Sequence, residues 1–316
     1  MTCPRLSTSL LSGALAFASV NAAAQTQAPD KGEATFRALY KQLVEINTTL
    51  SSGSCTKAAQ AMAKHLRDAG FAASDMKILT PKDRPNDGNL IATLPGKDRN
   101  ALPILLLAHL DVVEAKREDW ERDPFTLVEE GGFFYARGSS DDKAMAAVFV
   151  DSLARYMAEG FVPQRDLKMA LTCGEETPDT FNGVDWLIKN HPDALKAAYA
   201  INEGAGGELD KDDKPVALQV QAGEKIYQDF TLESTNSGGH SSRPIKENAI
   251  YHLAAGISKI GAHQFPIALN PVTRSYFSTQ AELSPADVGN DMRAVLASPP
   301  DQAAADRLWD VNPGWN

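Results

Sequence analysis

The chain has 316 residues, of which 43% are hydrophobic, and a formal net charge of -10. This length and composition suit one large or two modest globular domains. The negative charge argues against a protein that binds the phosphate backbone of nucleic acids, because such a protein needs a basic face.

The start of the chain predicts an export signal. Arg5 gives it a positive charge, residues 6–20 are apolar and small, and Ala22-Ala23-Ala24 offers an A-x-A cleavage site. We therefore expect residues 1–24 to be a signal peptide and the mature protein to be periplasmic or secreted. The alternative is an unprocessed leader. The apolar run is too short for a membrane span, and no later stretch is long enough.

The cysteines predict no disulfide framework. Cys3 leaves with the signal, and Cys55 and Cys173 lie far apart in the sequence. Cys173 falls in an apolar strand pattern, so we interpret it as a buried small residue.

Helical and strand patterns alternate along residues 36–202. Apolar residues at helical spacing predict helices, and short apolar runs bounded by turn residues predict strands. The predicted helices are 36–44, 57–69, 142–156 and 183–189; the predicted strands are 89–94, 103–108, 167–173 and 197–202. Residues 120–136 predict a hairpin that turns at Gly131-Gly132. Nearly continuous apolar strands indicate burial on both faces of an α/β sheet.

The sequence pattern changes at residues 209–214. This segment is charged and rich in residues that break helices and strands, and it predicts a turn or a linker. Residues 216–220 resemble a strand, and residues 227–234 alternate apolar and polar side chains as a half-exposed strand does. A glycine-rich turn and a helix over 248–260 come next. The pattern predicts a second, α+β domain that begins near residue 223.

Acidic residues and one histidine follow the predicted strands. Their spacing of roughly 30 residues is about one strand–helix unit. Because open α/β sheets bind ligands at the carboxyl ends of their strands, we expect these side chains to build a hydrolytic metal site. The candidates are His109, Asp111, Asp141, Glu175, Glu176 and Glu203.

Each candidate also has an ordinary structural interpretation. His109-x-Asp111 could be a surface histidine and a turn, and Asp141 could cap a helix. The pair Glu175-Glu176 directly after a buried strand is more specific evidence for a metal site. Hydrolysis needs one carboxylate as a metal ligand and another to accept a proton. The shared placement at strand ends favours the metal site.

These residues stand in motifs that resemble the M20 family of zinc metallopeptidases, which includes carboxypeptidase G, aminoacylase, succinyl-diaminopimelate desuccinylase and carnosine dipeptidase. The matching motifs are Leu107-Ala-His109-Leu-Asp111-Val-Val113, Tyr135-Ala-Arg-Gly-Ser-Ser-Asp141-Asp-Lys143, Cys173-Gly-Glu175-Glu176, Asn202-Glu203-Gly204 and Ser237-Gly-Gly-His240-Ser-Ser-Arg-Pro244. The resemblance implies a zinc-exopeptidase-like α/β fold, a mixed sheet flanked by helices, with an inserted α+β lid and dimerisation domain. The chain would then consist of a catalytic domain, residues 25–222, and a partial lid domain, residues 223–316.

The resemblance also implies a metal-binding role for four residues. His109 and Glu203 would bind one zinc, Glu176 would bind a second, and Asp141 would bridge the two. Cobalt or manganese could occupy such a mixed site as well.

Three further residues would have catalytic roles by the same resemblance. Asp111 would orient His109, and Glu175 would be the general base. His240 would stabilise the oxyanion in the site of a partner subunit, in a homodimer formed through the lid. The expected activity is hydrolysis of a small peptide or an N-acyl amino acid, of the carboxypeptidase, dipeptidase or deacylase type.

The family's final zinc ligand is a histidine that follows the lid, and this sequence has none there. Its other histidines are His65, His191, His252 and His263. We therefore expect the chain to stop inside the lid and to bind two metals or only one. The alternative to an active hydrolase is a truncated, catalytically inactive member that retains partial metal binding.

Overall fold

The computed structural model describes residues 31–226, 228–240 and 242–315, so the predicted signal peptide lies outside the described residues. The chain divides into two compact units, of which the first ends at Glu203 and the second is Gly204–Asn316. The predicted domain limits of 25–222 and 223–316 stay a prediction. None of the described helices combines the length and the apolar character needed to cross a bilayer.

The first unit contains a five-stranded mixed sheet and a separate hairpin. The sheet strands are β1 (Met76–Leu79), β2 (Asn89–Leu94), β3 (Ile104–His109), β6 (Leu167–Thr172) and β7 (Tyr199–Ile201); the hairpin strands are β4 (Val128–Glu130) and β5 (Phe133–Tyr135). The sheet order is β1-β2-β6-β3-β7. β3 runs parallel to β6 and β7, whereas β2 is antiparallel to β6 and to β1. This confirms the predicted mixed α/β sheet.

Helices cover both faces of this sheet. They are α1 (Lys31–Glu45), α2 (Cys55–Asp68), α3 (Lys143–Ala158) and α4 (Gly183–Asn190). Successive strand residues point to opposite faces. Leu90 and Leu171 therefore join the core formed with α1, α2 and α3, while Ile91 and Ala170 pack with Leu187 of α4. Burial on both faces explains the nearly continuous apolar strands.

The strand directions bring several chain segments to one edge of the sheet. The parallel strands β3, β6 and β7 end at this edge, where His109 is paired with Thr172. Because β2 is antiparallel to β6, it begins there, with Leu90 opposite Leu171. Residues that follow β3, β6 and β7 are thus close in space although they are far apart in sequence.

The β4–β5 hairpin is confirmed, with its turn at the predicted glycines. Gly131 and Gly132 have φ values of 61° and 84°. A two-residue turn that matches the twist of the strands needs positive φ at both positions, which glycine adopts without steric cost.

A disulfide joins Cys55 to Cys173. The prediction of no disulfide is therefore wrong, whereas the predicted burial of Cys173 is confirmed, and Cys55 is buried as well. The two positions are 118 residues apart in sequence, yet their Cα atoms lie 6.0 Å apart. Only the packing of α2 against the sheet brings them together, and cysteine spacing carries no information about that packing.

The described residues of the second unit form a hairpin and four α-helices. They are β8 (Gly207–Leu209), β9 (Pro215–Leu218), α5 (Ala249–Gly261), α6 (Pro271–Leu283), α7 (Ala286–Leu296) and α8 (Gln302–Val311). Phe277, Met292 and Leu308 are central to a small core between the last three helices. The strand predicted over 227–234 is wrong, since the described residues of this stretch form no strand. Alternating polarity does not supply the neighbouring strand that takes up backbone hydrogen bonds.

Candidate metal centre

The imidazole of His109 lies at the centre of the carboxylate cluster. The side chain is 3% exposed, and its Nε2 lies 2.9 Å from Oδ1 of Asp141. The same Nε2 lies 3.6 Å from Oε1 of Glu203 and 3.9 Å from Oε2 of Glu175. The ends of β3, β6 and β7 thus bring together side chains that span residues 109 to 203.

Asp111 lies on the other side of the His109 ring. Nδ1 of His109 is 3.0 Å from the backbone carbonyl oxygen of Asp111 and 3.6 Å from its carboxylate Oδ1. The carbonyl is therefore the hydrogen-bond acceptor, and the carboxylate acts through its charge. The other carboxylate oxygen, Oδ2, accepts the backbone N–H of Glu176 at 3.0 Å.

Asp142 is a buried residue of the site that the sequence reasoning missed. Its Oδ2 accepts the backbone N–H of His109 at 3.2 Å, and its side chain makes no capping bond to α3. Burial raises the pKa of Asp142 to about 7. Sequence alone gives no signal that separates Asp142 from its neighbour Asp141, which faces Nε2.

Lys143, directly after Asp141 and Asp142, donates its hydrogen bonds to backbone carbonyls. It is completely buried, and its Nζ donates to the carbonyl oxygens of Ile46 at 2.7 Å and Val44 at 3.4 Å. These carbonyls lie at the end of α1, where helix carbonyls lack partners within the helix. Burial lowers the pKa of Lys143 to about 7.

The Glu175-Glu176 loop is held at its base by hydrogen bonds to the backbone of Cys173. The backbone N–H of Cys173 donates to Oδ1 of Asn89 at 3.0 Å, and its carbonyl accepts the N–H of Gly183 at 2.7 Å. Gly174 has a φ of 89°, and a Cβ atom there would lie 2.3 Å from the carbonyl oxygen of Phe181. Glycine is therefore required directly before the two acids.

The donor atoms form two overlapping groups that fit a metal ion. One group is His109, Asp141 and Glu176; the other is His109, Glu175 and Glu203. In each group the nitrogen and oxygen atoms all lie within 4.8 Å of one another. One imidazole with several carboxylates is a donor set for zinc and related divalent ions.

The electrostatics of the cluster agree with a cation-binding site. Burial and the nearby charge of Asp141 raise the pKa of Glu176. Burial likewise raises the pKa of Glu203, and Asp141 and Glu175 add to the shift. Burial disfavours the charged form of His109, but the negative charges of Asp111, Glu203 and Asp142 together outweigh it and raise that pKa to about 10. Ionised carboxylates that lie close together repel one another, and a positive charge stabilises them. Protons or a metal ion supply this charge.

His240 belongs to the second unit. Its Nδ1 accepts hydrogen bonds from the backbone N–H of Ser242 at 3.2 Å and from the hydroxyl of Ser242 at 2.7 Å. With Nδ1 as acceptor, a neutral ring carries its proton on Nε2 and can donate from there.

Comparison with known proteins matches the part of the chain that holds these residues. The family model described as peptidase family M20/M25/M40 matches residues 105–308. The human N-fatty-acyl-amino acid synthase/hydrolase PM20D1 is 33% identical over 180 residues, which cover 55% of this chain and 35% of that protein. Mouse aminoacylase-1 is 28% identical over 224 residues, which cover 70% of this chain and 52% of that protein. The chain thus spans about a third to a half of these relatives.

Solved structures give matches of similar extent. The metallo-carboxypeptidase Sso-CP2 from Sulfolobus solfataricus is 22% identical, with a TM-score of 0.46, over 59% of this chain and 39% of that one. Human carnosine dipeptidase 1 is 20% identical, with a TM-score of 0.42, over 56% of this chain and 41% of that one.

Proposed function

This chain belongs to the peptidase family M20/M25/M40, and on that premise we propose that it is a zinc-dependent hydrolase of the amide bond in N-acyl amino acids or small peptides. One observation carries the proposal. Nε2 of His109, buried at the end of β3, lies within 3.9 Å of the carboxylates of Asp141, Glu175 and Glu203. Acidic side chains of an ordinary solvated surface would not converge on one buried imidazole.

His109, Asp141, Glu176 and Glu203 would hold the metal. His109 and Glu203 are proposed for one zinc and Glu176 for a second, with Asp141 shared between them. Bound zinc polarises a carbonyl and lowers the pKa of a bound water. Cobalt or manganese suits the same nitrogen and oxygen donors.

The remaining proposed roles belong to the side chains of the chain itself. Glu175 accepts a proton from the attacking water and delivers it to the amide nitrogen, so that the C–N bond breaks to a carboxylate and an amine. Asp111 fixes the orientation of the His109 ring. His240 donates a hydrogen bond from Nε2 to the oxyanion, in the site of a partner subunit if the second unit forms a homodimer.

The names of the sequence relatives favour N-acyl amino acids as substrates. PM20D1 is described as an N-fatty-acyl-amino acid synthase/hydrolase and the mouse relative as an aminoacylase. Small peptides are the other class, because the family is a peptidase family. Both classes present an amide bond to the same catalytic groups.

We propose that the protein works in an exported location. The predicted signal peptide supports this, and so does the Cys55–Cys173 disulfide in the first unit. Disulfides form and persist in oxidising compartments such as the bacterial periplasm and are rare in reducing ones.

The test measures zinc binding and amino-acid release by the purified protein. N-acetyl and long-chain N-acyl amino acids and a set of dipeptides are compared, with zinc and after chelation. We expect zinc-dependent release from at least one class, and Glu175→Gln should still bind zinc but lose about 100-fold or more in turnover. Zinc binding without release from any substrate would instead support the catalytically inactive alternative.

A further inference from the structure

We propose that the Cys55–Cys173 disulfide positions the loop that carries Glu175 and Glu176, and so sets the affinity of the metal centre. The inference rests on the proposed function, because the role assigned to the disulfide is toward the metal ligands. The two cysteines are positioning residues, since they contact neither substrate nor metal in this proposal.

The disulfide lies next to Asp111 and close in sequence to Glu175. It links the first residue of α2 to the residue that follows β6, and Cys173 is two positions before Glu175. The cysteine sulfurs and a carboxylate oxygen of Asp111 all lie within 4.8 Å of one another. The covalent bond therefore packs against the residue that contacts both His109 and the backbone of Glu176.

The loop needs such an anchor because its carboxylates make little packing contact of their own. The side chain of Glu175 is 53% exposed, and Glu176 is half-buried. Both carboxylates lie among other negative charges, which repel them in the absence of a cation. Their positions thus depend on how firmly the backbone of the loop is held.

The other anchors of the loop are single hydrogen bonds. They include the bonds from Cys173 to Asn89, from Glu176 to Asp111 and from Gly183 to Cys173. The disulfide instead ties the loop to α2, whose residues Ala58, Met62 and Leu66 are completely buried. A helix with a fully packed apolar face is a rigid attachment point.

Packing beside the disulfide is incomplete. Both cysteines line a small cavity together with Thr48 and Asp111. Two buried oxygens of these lining residues, Oγ1 of Thr48 and Oδ1 of Asp111, have no hydrogen-bond partner among the described protein atoms. This side of the loop therefore borders a small open space and is not held by hydrogen bonds to these two oxygens, whereas the disulfide restrains it covalently.

The test compares the double variant Cys55→Ala/Cys173→Ala with Met62→Ala, which truncates a fully buried side chain of α2 but leaves the disulfide in place. Zinc affinity is measured by competition with a chromophoric chelator. Amide hydrogen exchange of Glu176 and Gly183 is measured in the metal-free proteins. Each variant is measured at a temperature that lies the same number of degrees below its own melting temperature. A difference between the two variants then does not reflect a difference in global stability.

We expect the double variant to bind zinc about tenfold or more weakly than wild type, and its Glu176 and Gly183 amides to exchange faster. Met62→Ala should match wild type in both. Equal affinity and equal exchange in the double variant and Met62→Ala would overturn the proposal. If the double variant does not fold, the wild-type protein reduced by a phosphine replaces it, with free thiols counted.

The two proposals fail in different ways. Absence of zinc binding by the wild-type protein would contradict the proposed function. The exchange comparison needs no metal and still decides the positioning role, since unchanged protection of Glu176 and Gly183 without the disulfide would refute it.

Discussion

The backbone N–H of Glu176 donates a 3.0 Å hydrogen bond to Oδ2 of Asp111. The backbone carbonyl of the same aspartate lies 3.0 Å from Nδ1 of His109. One residue that closely follows β3 therefore contacts both the imidazole shared by the two donor groups and the loop that follows β6. The site is built as a connected unit rather than as separate acidic side chains.

Replacing Asp111 by Asn tests this connection. The substitution keeps the size of the side chain but removes the charge beside His109, so the pKa of His109 should fall from about 10. If Asp111 orients a metal-binding His109 as proposed, zinc affinity should fall about 10- to 100-fold. An NMR titration of the metal-free protein and a zinc competition assay measure the two effects. The control is Asp185→Asn on the exposed side of α4, which should change neither.

Zinc binding should depend on pH because of His109. In the metal-free protein its pKa is raised from 6.5 to about 10, so at neutral pH a metal must displace a proton. For one displaced proton, the apparent affinity should rise about tenfold per pH unit between pH 7 and pH 9. Isothermal titration in buffers of different ionisation enthalpy counts the proton. An affinity that stays constant over this range would contradict the prediction.

The same shift has a consequence for stability without metal. A raised pKa means that the folded protein holds the proton more tightly than the unfolded chain. The contribution of His109 is therefore fully present below about pH 6.5 and is lost as the pH rises through about 10.

Lys143 should have the opposite pH dependence. Burial lowers its pKa from 10.5 to about 7, so its favourable contribution is present above about pH 10.5 and is lost as the pH falls through about 7. Relative to Lys143→Met, the wild-type protein should gain about 1 kcal/mol per pH unit between pH 7 and pH 10. Urea unfolding of both metal-free proteins measures the difference, and a constant difference would argue against a buried, titrating amine.

Glu203 and Glu176 belong to different donor groups, so their amide variants should affect metal binding separately. Glu203→Gln and Glu176→Gln should each weaken zinc binding about tenfold or more, since each removes a charged donor. Glu208→Gln, an exposed glutamate of the second unit, is the control. Zinc content after dialysis against a weak chelator measures the loss. If both variants retained wild-type zinc content, the proposed ligand set would be wrong.

Loss of the disulfide should also lower the global stability. The bond closes a loop of 118 residues, and removing a native disulfide costs about 2–5 kcal/mol. Urea unfolding of Cys55→Ala/Cys173→Ala against wild type measures this cost. A difference below about 0.5 kcal/mol would mean that the unfolded chain gains little freedom when the bond is lost.

The strands and helices of the first unit were largely predictable from sequence. Apolar periodicity placed β2, β3 and β6 to within about two residues, because strands buried on both faces leave an unbroken signal. Gly131 and Gly132 identified the hairpin turn because only glycine adopts both φ values readily. Membership of the M20 family was likewise predictable, since the motifs around His109 and Glu175 carry it, and the family match confirms it.

The supporting contacts could not be predicted, because they join residues that only the tertiary fold brings together. Asn89 reaches Cys173 at the base of the glutamate loop, and Asp142 reaches the backbone of His109, yet neither has a distinctive sequence context. Lysine side chains are ordinarily exposed, yet Lys143 is completely buried. The erroneous strand at 227–234 shows the same limit, because periodicity describes one segment and pairing needs two.

Because of the order of the strands, the proposed metal site is complete only when the first unit has folded completely. His109, Asp141, Glu176 and Glu203 come from four separate chain segments, and β3 and β6 become neighbours only after α3 has crossed between them. A partly folded chain can bring together one or two of these proposed ligands, but not the whole set. A metal that binds only the finished arrangement stabilises that state by mass action. Free zinc should therefore slow proteolysis of the folded protein, in proportion to its affinity, without protecting incomplete forms.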